Sequence, residues 1–70
     1  RHYRVMRMTG KARRIVRELF VAFLNDPRLL AKDHRRDDPD AQARAIADYI
    51  AGMTDRYAMR EHGQIFRMDA

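Results

Sequence analysis

Three observations on this 70-residue chain predict an all-α fold. Apolar side chains recur at spacings of three and four along two long stretches. No stretch of useful length alternates with the period of two that a strand requires. Both prolines, Pro27 and Pro39, fall at the edges of the periodic stretches rather than inside them. The architecture that follows is a helical hairpin, over about 10–25 and 40–61, with a charged connecting loop and a short C-terminal element. It reads as a fragment of a larger helical protein, a single segment over residues 1–70.

The first helix rests on Ile15, Val16, Leu19, Phe20, Phe23 and Leu24, which continue a stripe that begins with Val5, Met8 and Ala12. Thr9 is a candidate N-cap, and Gly10 weakens helix beside it, so the helix is placed from about residue 10. Asn25-Asp26-Pro27 ends it, because a proline disfavours helical backbone at the residue before it. In the connection, Leu29 and Leu30 are the expected buried anchors, and residues 32–40 are almost wholly charged, which predicts a solvated loop with room for a short helical turn.

Asp38 is the expected N-cap of the second helix, with Pro39 suited to its first turn. The apolar stripe is Ala45, Ile46, Tyr49, Ile50, Met53 and Tyr57. A continuous helix to Glu61 would be roughly 33 Å long at 1.5 Å per residue. Gly52 then lies in its middle, where glycine costs about 1 kcal/mol relative to alanine. Beside Ala51, it reads as a helix-packing notch for another backbone or a bulky group. His62-Gly63 is the expected cap. Ile65 and Phe66 dock back or continue as a short helix, and Asp69-Ala70 form a tail.

Composition bounds the chemistry. Cysteine and serine are both absent, so disulfides, thiolate metal sites and Ser or Cys nucleophiles are excluded within the segment. The three glycines are far apart, so no glycine-rich phosphate loop exists. His2, His34 and His62 have no second histidine within helical reach, so no metal site and no catalytic residue is assigned. No apolar run approaches a membrane span and the arginine-rich start has no signal-peptide core, so a cytoplasmic segment without membrane contact is expected.

Net charge is +5, but it divides into +8 over residues 1–36 and −3 over residues 37–70. Arg4, Arg7, Lys11, Arg14 and Arg17 share one face of the first helix and make it a candidate phosphate or nucleic-acid face. No aromatic residue interleaves with them, so base stacking is unsupported; a solvated face is the plainer reading. Asp48 and Asp55 lie two turns apart, about 10 Å along a helix, too far for direct acid–base coupling. Tyr49 and Tyr57 are core residues with rim hydroxyls or parts of a ligand pocket.

The run Asp48-Tyr49-Ile50-Ala51-Gly52-Met53-Thr54-Asp55-Arg56-Tyr57-Ala58 resembles the C-terminal signature of the bacterial deoxyguanosinetriphosphate triphosphohydrolase-like proteins, within the HD superfamily. His2-Tyr3-Arg4-Val5-Met6-Arg7, Ala12-Arg13-Arg14-Ile15-Val16, Leu19-Phe20, Pro27, Leu29-Leu30, Glu61-His62 and Ile65-Phe66 agree with it, so the resemblance covers nearly the whole chain. It implies an all-α parent that hydrolyses a dNTP to deoxynucleoside and triphosphate with Mg²⁺ or Mn²⁺. The metal in that family is held by a His, a His-Asp pair and a further Asp. None of these four is in this chain; Asp33-His34 carries the pair in reverse order. No cofactor is therefore expected in this segment, which alone would be inactive.

The partners implied are an upstream catalytic domain, a dNTP substrate for the parent and a homo-oligomer. Tyr49, Asp55 and Arg56 are the candidates for contact with pocket-forming elements, or for locking the helix onto the core. Two readings from other classes stand beside this one: a stand-alone helical interaction module, and a small basic nucleic-acid-binding domain using residues 4–17.

Overall fold

A computed structural model describes residues 10–67 and contains three α-helices: α1 (Gly10–Asn25), α2 (Pro39–Ala51) and α3 (Asp55–Arg67). Two 3-10 turns, Pro27–Leu29 and Lys32–His34, lie between α1 and α2. The expectations on Val5, Met8, Thr9, Arg4, Arg7 and the Asp69-Ala70 tail fall outside the described residues.

α1 buries Ile15, Leu19 and Phe23, a stripe at every fourth position. Leu19 and Phe23 are completely buried. α2 answers with Ile46 and Ile50, and α3 with Ala58. Val16, Phe20, Tyr49, Met53 and Ile65 pack around this cluster. Both α2 and α3 rest on α1. The described Cα trace measures 34 × 33 × 15 Å, a slab thin enough to leave every helix with an outward face. Val21, Leu24, Met59 and Phe66 are exposed on such faces.

Side-chain hydrogen bonds, those of Arg35 and Gln42 foremost, hold the α1–α2 connection. α1 stops at Asn25, and Asp26 takes an extended conformation (φ −140°, ψ 85°) ahead of Pro27. Of the two leucines expected to anchor the loop, only Leu30 does so; Leu29 is 40% exposed. The reason is local. The Pro27–Leu29 turn directs only the residue after it inward, and the Arg35 guanidinium fixes that point by donating from Nε to the Leu30 carbonyl at 3.0 Å. Gln42 is the buried polar residue of the described chain. Its Nε2 donates to the His34 carbonyl at 3.0 Å, and its Oε1 accepts from the Arg36 amide at 2.9 Å. A buried amide must satisfy both its ends, and Gln42 does so by gripping the charged loop.

α2 begins as its sequence demands. Asp38 is the N-cap, accepting from the Ala41 amide at 2.9 Å, and Pro39 occupies the first turn. It does not continue to Glu61. Gly52 caps it (φ −87°, ψ −1°), with its amide donating to Asp48 and Tyr49 carbonyls, both at 3.2 Å. Thr54 then starts α3: its Oγ1 accepts from the Tyr57 amide at 3.0 Å and its carbonyl from the Ala58 amide at 2.9 Å. Asp55 follows in the first turn, where a negative charge meets the positive end of the helix dipole. A straight helix would carry Ala58 and Ile65 away from α1; the break returns them to it. His62 and Gly63 accordingly lie inside α3 rather than capping a helix, and Ile65 and Phe66 continue that helix.

Gly52, read from the sequence as a helix-packing notch, is a helix end in the described residues. Among the described residues, a Cβ added there would meet only Tyr49 and Asp48 carbonyl oxygens at 3.7 and 3.8 Å, ordinary contact distances. Gly52 serves as a helix end, and within the described residues no backbone crosses it. Gly52→Ala should therefore be neutral or stabilise the 70-residue chain by about 0.4–1 kcal/mol, since its φ suits any residue. A loss above about 2 kcal/mol in a thermal or denaturant melt would reveal a close contact at Gly52 within the chain. Gln42→Ala should cost about 1–3 kcal/mol by orphaning the Arg36 amide and His34 carbonyl, with faster hydrogen exchange at Arg36.

Candidate functional site

The break after α2 builds the most chemically varied surface of the chain. Tyr49, on the last turn of α2, and Tyr57, on the first of α3, face each other across Gly52-Met53-Thr54. Their hydroxyls are 3.1 Å apart and hydrogen bonded. Their rings meet edge to face, with centroids 6.5 Å apart at 87°. The half-buried Tyr49 ring also lies against Phe23 of the core (5.7 Å) and His34 of the connector (4.5 Å). Burial, and then the hydrogen bond with Tyr57, push the Tyr49 phenol well above its ordinary pKa. It stays protonated at any physiological pH and can donate or accept a hydrogen bond, but not act as a phenolate base.

Asp48, Tyr49, Gly52, Met53, Thr54 and Tyr57 line an open cleft of about 410 Å³. Asp55 is not in it. It lines a smaller cleft, about 220 Å³, between the N-terminal turns of α1 and α3, opposite Lys11 and above Ile15 and Ala58. Arg56 is exposed and lines neither cleft. Tyr49, Asp55 and Arg56 are thus not brought together: the helix break separates Tyr49 from Asp55, and Arg56, next to Asp55 on α3, lines neither cleft. The break also places the carboxylates of Asp48 and Asp55 in separate clefts.

The basic face is partly occupied from within. Lys11, Arg14 and Arg17 are exposed along α1, but Arg14 lies 3.9 Å from Glu18 one turn on. Arg4 and Arg7 lie outside the described residues. Glu18 also receives a close bond, 2.6 Å, from Nε2 of His62 on α3. The His62 ring stacks on Phe66 at 4.4 Å. This α1–α3 tie was invisible in the sequence, where the only hint is that Glu18 is the sole acid among the basic residues of α1. The bond from His62 holds the Glu18 carboxyl below its ordinary pKa, with smaller help from Arg14 and Arg17 and against a small desolvation effect.

Asp33 and His34 approach to 4.0 Å, and among the described residues no group of three or more His, Asp or Glu side chains converges on one point. These residues do not fit a divalent cation, which needs more hard donors. Among the described residues, no helix is long and apolar enough to cross a membrane.

What this three-helix segment belongs to is shown by comparison with known proteins. The family model described as "Phosphohydrolase-associated domain" matches residues 1–64, and the chain belongs to that family. It is 74% identical over 68 residues to a deoxyguanosinetriphosphate triphosphohydrolase-like protein of Bordetella pertussis, covering 97% of this chain and 18% of that protein. A protein of the same description from Ralstonia pickettii is 59% identical over 71 residues, covering 100% of this chain and 18% of the relative. One from Nitrosomonas europaea is 48% identical over 66 residues, covering 94% and 18%. The chain therefore spans under a fifth of the length of the curated relatives it matches. No solved structure matches it.

The Glu18–His62 tie predicts a pH dependence. A carboxylate with a folded-state pKa below its unfolded value contributes stability above the unfolded value, near 4.5, and loses it as pH falls through the folded one. Melting temperature should fall as pH drops below about 4.5. Glu18→Gln should lower it at neutral pH and flatten that acid slope. An unchanged slope would remove the tie from the balance.

Proposed function

We propose that this chain is the phosphohydrolase-associated segment of a metal-dependent hydrolase that converts a dNTP to deoxynucleoside and triphosphate. The observation that carries the reading is the 74% identity across 97% of the chain to a protein described as deoxyguanosinetriphosphate triphosphohydrolase-like. In this reading the segment is the C-terminal helical part of the parent, and the parent works in the cytoplasm. The Mg²⁺ or Mn²⁺ and its ligands lie in the remainder of the parent, because the donors described above do not suffice for one.

The contribution of these residues is structural and positional. Tyr49 and Tyr57 form a neutral, hydrogen-bonded rim that offers a donor and an acceptor to a neighbouring surface or ligand without introducing a buried charge. Asp55 and Arg56 are exposed on the first turn of α3 and offer opposite charges to whatever lies against that turn. Such groups support a docking or pocket-rim role and supply no nucleophile.

Two assays test this. The 70-residue chain, incubated with dGTP and Mg²⁺ or Mn²⁺, should release no triphosphate; release would place an active site within it and overturn the reading. In the full-length parent, Tyr49→Phe and Asp55→Asn distinguish rim from lock. A change in KM or kcat assigns them to the pocket, whereas lower melting temperature with unchanged kinetics makes them structural. Loss of one hydroxyl hydrogen bond should cost about 0.5–1.5 kcal/mol of stability in the second case.

A further inference from the structure

The slab carries a third depression, distinct from the two clefts above. Val16 and Phe20 of α1 and Ala47, Ile50 and Ala51 of α2 line a groove of about 380 Å³ whose only charged wall residue is Arg17. It runs between the outward faces of α1 and α2. Ile50 is nearly buried at its floor, Val16 and Phe20 are half-buried, and Ala47 and Ala51 are exposed. Ala47 and Ala51 are one helical turn apart, so no long side chain on that wall blocks the approach of another backbone. An apolar trough of this kind takes an amphipathic helix through its spaced apolar anchors.

We propose that this groove seats a helix from the part of the parent polypeptide outside these 70 residues. That helix lays an apolar face over Phe20 and Ile50 and sets a carboxylate against Arg17. The inference rests on the preceding reading, that the chain is part of a longer hydrolase. Two observations select this occupant. Relatives aligned over 97% of the chain are covered to only 18% of their length, so most of their polypeptide lies outside it. The one charged residue on the groove wall, Arg17, is exposed on the α1 side, which favours an acid-bearing partner segment. Seated there, the helix would cover the face of Phe20 and Ile50 that α3 leaves open, because α3 packs on α1 through Ala58 and Ile65 instead.

The test is thiol labelling of the full-length parent, with its native cysteines removed where they label. Ala47→Cys and Ala51→Cys are compared with Asp37→Cys in the exposed connector. Maleimide should label positions 47 and 51 at least about tenfold more slowly than position 37, as expected for a site that must open first. The difference should persist on dilution to the monomer. Equal rates would overturn the proposal. Protection that disappears on dilution would overturn it as well, in favour of a second copy. A photo-crosslinker at Ala47 should capture a peptide from the same polypeptide whose helix carries an acid near Arg17. Capture of nothing, or of another chain, overturns it even if the cysteine variants fold poorly. Labelling is read without substrate, so the two readings separate. Protected positions in a parent that releases no triphosphate would keep the groove and remove the activity, and the converse would do the opposite.

Discussion

The apolar stripe Ile15-Leu19-Phe23 is the interaction on which everything else depends. α2 and α3 both pack on it, and they meet each other chiefly through the Tyr49–Tyr57 pair. Leu19 and Phe23 are wholly buried only because two later helices close over them. A chain of this length buries a smaller fraction of its surface than a larger domain. One helix used as the common partner makes the best of that limit, since its stripe serves two neighbours. The consequence is a thin slab with apolar side chains left on its outer faces, as Val21, Leu24 and Met59 illustrate.

The second determinant is the helix break at Gly52-Met53-Thr54. Gly52 ends α2 at little cost and Thr54 starts α3 with a hydroxyl cap, so two orphaned helix ends are satisfied within three residues. The break turns the chain so that Ala58 and Ile65 reach α1 and the tyrosine hydroxyls reach each other. It also separates Asp48 from Asp55, which a continuous helix would have aligned. Asp48 goes to one cleft, Asp55 to another and Arg56 to neither. A surface that looked like a concentration of chemistry in one dimension becomes a set of separate edges in three.

Several polar groups on those edges are already engaged within the segment. Tyr49 is held neutral by burial, the carboxylates are apart, and Glu18 and Arg14 are engaged within the segment. The connector is likewise built for support. Arg35 and Gln42 tie its carbonyls and amides to the body, which fixes His34 against Tyr49.

What the sequence by itself determined was whatever local chemistry could decide. The all-α class, the span of α1, and the start of α2 at an Asp38 cap followed by Pro39 all follow from periodicity, capping and proline sterics within a few residues. The same local signals left Gly52 ambiguous. A glycine beside alanine is compatible with a close helix crossing or with a helix end, and Thr54-Asp55 marks a new start only if the chain turns there. Leu29 and Leu30 were equally apolar, and only the turn geometry chose Leu30. The Glu18–His62 bond joins residues 44 apart in sequence, and Gln42 became a core residue because the loop folded over it. Tertiary structure decided these points because each depends on where α1 offers a surface, and no window of neighbouring residues contains that information.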